Sequence, residues 1–146
     1  MQKMIIILFL LFGGLLYAKP ARADVTYVKV NKVGNFYSFY VTIHSNETGC
    51  SQFANWWEVL DANGNLLYRR ILVHSHPSEQ PFTRAGGKVA LKKNQIVYIR
   101  AHLNNLGYVG DVFVGSVATG FKKAQNPPKF PKEIEQLPPQ PIGCAF

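Results

Sequence analysis

Hydrophobic and polar residues alternate along most of the chain between residues 25 and 118. In residues 36–45, for example, Phe39, Val41 and Ile43 occupy every second position. Because successive side chains of a β-strand point to opposite faces, this alternation predicts strands with one buried face. The segments predicted as strands are 25–33, 36–45, 53–61, 66–76, 88–91, 95–103 and 111–118.

Turn-forming residues separate these segments at intervals of about 8–12 residues. Gly34-Asn35 follows the first segment, and Asn63-Gly64 lies between the third and the fourth. Asn-Gly between two β-rich segments is the strongest short-range signal for a hairpin. No segment keeps the 3.6-residue period of a helix. The pattern predicts an all-β fold, a seven-stranded antiparallel sandwich of the immunoglobulin or fibronectin-III type.

The N-terminal residues have the pattern of a secretory signal peptide. A basic start, Met1-Gln2-Lys3, precedes an apolar run over 4–16, and Ala21-Arg22-Ala23 supplies the small residues of a cleavage site. We therefore predict a signal peptide over 1–23, cut before Asp24. The apolar run is shorter than the roughly 20 residues that span a bilayer, so no transmembrane segment is expected after cleavage. A periplasmic or secreted protein is expected.

The predicted sandwich domain covers 24–121, and a tail of different composition covers 122–146. Six prolines lie between residues 127 and 141. Such a segment buries little apolar surface and is expected to be extended or polyproline-like. Three interpretations stay open, namely a flexible tail, a docking segment for a partner, and a tail packed along the sandwich.

The net charge of the protein excludes few classes of function. The 146 residues carry a net charge of +8, and the predicted cleavage removes three of the sixteen Lys and Arg but none of the eight acidic residues, which leaves +5. The basic residues are scattered and form no long block. Contact with anionic envelope polymers is compatible with this charge, whereas nucleic-acid binding is not expected.

Two cysteines, Cys50 and Cys144, follow the signal peptide. Exported proteins live where disulfides persist, so a Cys50–Cys144 bridge that ties the tail to the domain is predicted. Free thiols or a thiol metal ligand are the alternatives. The absence of a C-x-x-C motif argues against a thioredoxin-type role.

Four histidines form the main candidate site, and they are His44, His74, His76 and His102. Strand direction alternates in an antiparallel sandwich, so the second, fourth and sixth strands end at the same pole, where the histidines lie. His74 and His76 are two residues apart and share a strand face. Imidazole clusters suit Zn²⁺ or Cu²⁺, so a metal site at this pole is predicted.

A second interpretation is that the histidines only pack and hydrogen-bond the loops. In the usual sandwich, the sixth strand lies in the sheet of the third and fourth, and the second strand lies in the other sheet. His102 would then be one strand removed from the His74/His76 pair, at about 9–10 Å.

Two further features each allow a structural and a functional interpretation. Arg84 follows Glu79 by five residues, and the two form either a loop-locking ion pair or a ligand contact. Trp56 and Trp57 point to opposite faces, with Trp57 inward beside Val59. Trp56 is then either an exposed partner contact or a residue covered by the tail.

Several short motifs resemble a group of small exported prokaryotic proteins. They are a cysteine at 50, W-W-E-V at 56–59, R-I-L-V-H-S-H at 70–76, E-Q-P-F-T-R at 79–84 and R-A-H at 100–102. The resemblance covers roughly residues 50–118. It implies export and a β-rich domain. It also implies that His74, His76, Glu79, Arg84 and His102 belong to one feature, without indicating its role.

The chain has no hydrolase, metalloprotease, P-loop or dinucleotide-binding signature, so a non-catalytic protein is expected. The leading hypothesis is an exported binding protein that holds Zn²⁺ or Cu²⁺ at the histidine pole. The alternative is an adaptor for an envelope protein that acts through the proline-rich tail and Trp56 without a metal.

Overall fold

The computed structural model describes residues 18–145. The first 17 residues of the predicted signal peptide lie outside the described residues. The described part is built from eight strands, β1 to β8, and a short 3-10 helix, η1. Their bounds are β1 Ala23–Val33, β2 Phe36–Ser45, β3 Ala54–Asp61, β4 Leu66–Ile71, β5 Phe82–Val89, β6 Val97–Leu103, β7 Phe113–Ser116, β8 Gly120–Lys123 and η1 Lys132–Gln136. No helix in residues 18–145 is long and apolar enough to cross a membrane.

The strands form two antiparallel sheets. One has three strands in the order β1-β2-β5, and the other has five in the order β4-β3-β6-β7-β8. The inner positions of both sheets contribute to a single hydrophobic core, in which Phe39 and Val41 of β2 accompany Trp57 and Val59 of β3. The all-β prediction and the inward side of the alternation are therefore confirmed.

The predicted fourth and fifth strands differ from the observed ones. β4 ends at Ile71 instead of residue 76, so the histidine pair lies in a loop. β5 begins at Phe82 and ends at Val89, so most of it lies in the interval 77–87 between two predicted strands. A Cβ at Gly86 would lie 2.6 Å from the Tyr68 hydroxyl, so this glycine permits close packing between the sheets rather than a turn.

The chain continues as structure beyond the predicted seventh strand. β8 pairs with β7 and widens the larger sheet, and the predicted boundary at residues 121/122 falls inside it. Residues 130–140, here called the strap, then lie against the outer face of this sheet. Ile134 of η1 is 4% exposed, so the strap buries apolar surface of its own.

The end of the tail is fixed covalently. Cys50 and Cys144 form a disulfide with their Cα atoms 5.6 Å apart, which confirms the predicted pairing. The backbone N–H of Ala145 donates to the carbonyl of Val73. Of the interpretations open for the tail, the structure therefore has the one in which the tail packs along the sheet and is held by Cys144.

The residues just before Asp24 are integrated into the fold. Ala23 begins β1, is fully buried, and donates its N–H to the Val109 carbonyl. A Cβ at Gly110 would lie 1.8 Å from the Ala23 carbonyl oxygen, so only glycine allows this approach. Arg22 forms ion pairs with Asp24 at 2.7 Å and Asp111 at 2.9 Å. A cut before Asp24 would remove all of these contacts.

The first prediction compares a chain that begins at Asp24 with one that begins at Lys19. We expect the shorter chain to unfold with a free energy about 2–3 kcal/mol lower, because it loses several partly buried hydrogen bonds and the Arg22 ion pairs. Urea denaturation of both chains measures the difference. Equal stability would show that residues 19–23 add nothing to the fold.

Candidate functional site

The four histidines occupy three different places. His74 and His76 lie in the loop after β4, with ring centroids 4.4 Å apart. His44 is exposed on β2, in the smaller sheet. His102 is buried on β6, on the outer face of the larger sheet, where it stacks on Trp56 with a centroid distance of 3.6 Å.

Glu47 organises the loop that carries the histidine pair. Its side chain is fully buried, and its two oxygens accept four hydrogen bonds. One oxygen accepts from the Ser45 hydroxyl and the Ala54 N–H, and the other accepts from the Ser75 hydroxyl and the His76 N–H. This carboxylate therefore joins β2, β3 and the histidine loop at one end of the protein.

The imidazole of His76 is buried. Its ring stacks on Phe82 with a centroid distance of 4.0 Å. Neither ring nitrogen has a hydrogen-bond partner among residues 18–145, and Nδ1 lies 3.8 Å from the nearer Glu47 oxygen. Burial lowers the pKa of His76, and the nearby Arg84 guanidinium lowers it further. The ring is thus neutral at pH 7, the form that binds metal ions.

Glu79 and Arg84 form an ion pair, which was one of the two interpretations that the sequence allowed for them. Arg84 Nη2 lies 3.1 Å from Glu79 Oε2, and the guanidinium lies 5.4 Å from the centre of the Phe82 ring. Arg84 lowers the pKa of Glu79. This arrangement locks the loop that follows the histidine pair, although the Glu79 carboxylate itself stays largely exposed.

Both ring nitrogens of His102 are engaged by protein groups. Nδ1 lies 2.7 Å from Asn55 Oδ1, and Nε2 lies 3.0 Å from Glu135 Oε1 of the strap. Burial lowers the pKa of His102, and this effect outweighs the opposite effect of Glu135. His102 could bind a metal ion only by giving up these contacts.

The structure therefore brings together His74, His76, Glu79 and Arg84, and it places His44 and His102 elsewhere. No group of three or more His, Cys, Asp and Glu side chains in the described residues is arranged to hold a metal ion. The separation of His102 from the pair follows from strand order, since β3 lies between β4 and β6.

A buried ionic cluster on the outer face of the larger sheet was not identified from the sequence. Glu58 of β3 is flanked directly by Arg69 of β4 and Arg100 of β6. The side chains of Glu58 and Arg69 are fully buried, and each arginine approaches a different Glu58 oxygen at 2.8 Å. The sequence did contain an indication of this cluster, because Glu58 shares its face of β3 with two large apolar side chains, Trp56 and Leu60.

Arg69 connects this cluster to the strap. Its guanidinium donates to the carbonyls of Ile134 at 2.7 Å, Leu137 at 2.5 Å and Pro139 at 3.2 Å. The Ile134 carbonyl also accepts from the Leu137 N–H, and the Leu137 carbonyl also accepts from the Gln140 side chain, so Arg69 joins a hydrogen-bonded turn at the end of η1. One arginine thus neutralises Glu58 and holds the strap on the sheet.

Trp56 belongs to the same covered face. It is 3% exposed, and the Arg69 guanidinium lies 4.5 Å from the centre of its ring. Of the two uses considered for Trp56, the structure has the covered one. Trp57 packs in the core, as predicted.

The chain has a distant relative among curated proteins. No family model matches the chain, and no solved structure is significantly similar to it. The chain is 31% identical to the "Putative lipoprotein" of Halomicrobium mukohataei over 102 residues, which are 70% of this chain and 50% of the relative. The chain thus spans about half the length of the curated relative that it matches.

The second prediction concerns Arg69. Replacing Arg69 with alanine leaves the Glu58 carboxylate buried with one arginine fewer and removes three bonds to the strap. We expect the free energy of unfolding to fall by about 3–5 kcal/mol, measured by urea denaturation. Trypsin should also cleave after Lys129 and Lys132 faster than in the parent protein.

Arg70→Ala is the matched control for this prediction. Arg70 is the next residue, but its guanidinium donates to the Ala85 carbonyl of the other sheet. We expect a loss of only about 1 kcal/mol and unchanged trypsin cleavage of the strap. If both variants behaved alike, Arg69 would not be the residue that holds the strap.

The third prediction concerns pH and His102. Because burial lowers the pKa of His102 in the folded protein, the unfolded chain binds more protons just below pH 6.5 than the folded protein does. We expect the free energy of unfolding to fall as pH decreases from about 7 to about 5, by at most ~1.4 kcal/mol per pH unit from this group. Urea denaturation across this range measures the slope.

His102→Gln should reduce that slope, because it removes the buried imidazole whose pKa burial lowers. A slope that is the same in the parent protein and in His102→Gln would contradict the assignment.

Proposed function

We propose that this protein is an exported, non-catalytic binding domain with an immunoglobulin- or fibronectin-III-like arrangement of its two sheets. The strand order supports this architecture, since β3, β4 and β6 share one sheet while β2 lies in the other. The Cys50–Cys144 disulfide suits an oxidising compartment outside the cytoplasm. The lipoprotein relative and the resemblance of segments 70–76, 79–84 and 100–102 to small exported proteins agree with export.

The candidate ligand of this domain is a Zn²⁺ or Cu²⁺ ion at His74 and His76. One observation carries the proposal. Both ring nitrogens of His76 are buried and find no hydrogen-bond partner among residues 18–145, and the His74 ring lies 4.4 Å from the His76 ring. A buried polar atom without a partner costs about 1–3 kcal/mol, and a bound ion would remove that cost. Neutral imidazoles are ligands that both ions favour.

The proposed site is smaller than the four-histidine site expected from the sequence. His74 is half-buried, so an ion would approach from its side and reach His76 behind it. Two imidazoles leave other coordination positions to water or to the Glu79 carboxylate, which would have to leave Arg84. Such a site exchanges its metal more readily than a closed four-ligand structural site.

The adaptor function is the second candidate. Trp56 is unavailable to a partner while the strap is docked, so this function requires another surface. Leu137 and Ile142 of the tail are 43% and 101% exposed, and Val73 beside the tail end is 51% exposed. An envelope protein would bind these apolar side chains without a metal.

The fourth prediction tests the metal site. Native mass spectrometry of the protein with limiting Zn²⁺ or Cu²⁺ should show one bound ion, and His74→Ala should lose it. Because His74 is only half-buried, this variant should fold, which circular dichroism checks. His76→Gln should also lose the ion.

His44→Ala is the matched control, since it removes an exposed histidine from the other sheet and should retain the ion. Equal weak binding by all variants, or no ion in the parent protein, would remove the metal function. Loss of a partner after Leu137→Ser and Ile142→Ser, with no bound metal, would favour the adaptor function.

A further inference from the structure

A cavity of about 570 Å³ lies between the tail and the outer face of the larger sheet, away from the histidine pair. The sheet side is formed by Arg100 and by the segment that follows β6, including Tyr108. The tail side is formed by prolines 127 and 128, Phe130 and two lysines. A volume of this size accommodates a small organic molecule.

The charges that line the cavity are mostly positive. Arg100, Lys129 and Lys132 contribute three cations, and Glu135 contributes one carboxylate. Glu135 is directed to His102, with its Oε1 3.0 Å from the imidazole Nε2. Lys129 and Lys132 are exposed, and neither forms an ion pair with another residue in the described part of the chain.

Protein contacts hold the Arg100 side chain in place but leave one of its guanidinium nitrogens, Nη2, without an acceptor in the described residues. Its Nε donates to Glu58 at 2.8 Å. Its guanidinium lies 3.4 Å from the centre of the Tyr108 ring and 5.0 Å from that of Phe130. Arg100 is 7% exposed, yet its Nη2 has no hydrogen-bond acceptor among residues 18–145. A buried cationic donor without an acceptor is rare, and an anionic acceptor forms a strong, charge-assisted hydrogen bond with a guanidinium.

We propose that this cavity, here called the tail cleft, binds a small organic molecule that carries a carboxylate or phosphate group. Arg100 and the two lysines contact the anionic group, while Tyr108, Phe130 and the prolines contact the rest of the molecule. Because Glu58 and the two aromatic rings hold Arg100 in place, little side-chain freedom is lost when the anion binds. This site is independent of the metal site proposed above.

Isothermal titration calorimetry with three probes tests the tail cleft. Glucuronate carries a carboxylate on a compact ring, glucose is its uncharged counterpart, and inorganic phosphate is a free oxyanion. We expect glucuronate to bind at least tenfold more tightly than glucose, with an affinity that falls as salt increases. Polygalacturonate, used as a fourth probe, distinguishes a polymer-borne carboxylate from a free one.

A matched pair of double variants locates the binding. Lys129→Gln with Lys132→Gln removes the two lysines of the cleft, and we expect glucuronate to bind about tenfold more weakly. Lys92→Gln with Lys93→Gln removes the same charge from an exposed turn, and the affinity should stay unchanged. Arg100→Lys keeps a cation beside Glu58 but lacks the guanidinium, and it should weaken binding further.

Three results would overturn the proposal. They are no heat from any charged probe up to millimolar concentrations, equal affinity for glucuronate and glucose, and equal weakening by the two double variants. The last result would mean that net charge alone attracts the probe. Since none of these variants touches His74 or His76, the outcome does not depend on the metal experiment.

Discussion

A fully buried carboxylate, that of Glu58, determines how the outer half of this protein is arranged. An ionised carboxylate removed from water costs several kcal/mol unless cations and hydrogen bonds surround it. Arg69 and Arg100 supply both, because they lie directly across from Glu58 on the two neighbouring strands. Two arginines bring more donors than one carboxylate can accept, so further acceptors are required. The strap supplies three backbone carbonyls to Arg69, and the sheet face is thereby covered.

The strap is held in two separate ways. The ionic cluster defines where residues 130–140 lie, and the Cys50–Cys144 disulfide keeps the end of the tail close to that position. The disulfide joins residues separated by 94 positions in the sequence. In the entropic account, closing a loop of this length raises the free energy of the unfolded state by about 4–5 kcal/mol, because the unfolded chain loses conformational entropy. Reducing conditions would remove the second restraint only, since the arginine bonds do not depend on it.

The sequence predicted the inner face of the sandwich, whereas for the outer face it left a tail cover as one of several interpretations, and the reason is physical. Alternation in β2 and β3 shows which side chains share a face, and Phe39 and Trp57 face inward as expected. The same alternation puts Trp56, Glu58 and Leu60 outward, but it does not indicate what covers them. The strap has a composition typical of extended chain. It docks through backbone carbonyls, and because every residue has one, the sequence does not indicate which carbonyls will bind Arg69. Strand direction predicted all four histidines at one pole, whereas the usual sheet order predicted that one strand separates His102 from the His74/His76 pair. The structure has that order, with β3 between β4 and β6.

The ionic cluster also couples the tail cleft to the strap. Glu58, Arg69 and Arg100 together carry one net positive charge, and Glu135 is the acidic side chain of the strap that approaches them, through His102. An anion bound to Arg100 in the tail cleft would neutralise the remaining positive charge of this cluster. Its binding then favours the docked strap, since Phe130 and Lys132 of the strap contribute to the cleft only when they lie on the sheet. By linkage, the anion site is weaker with the strap undocked than with it docked, by the same free energy with which a bound anion stabilises the docked strap.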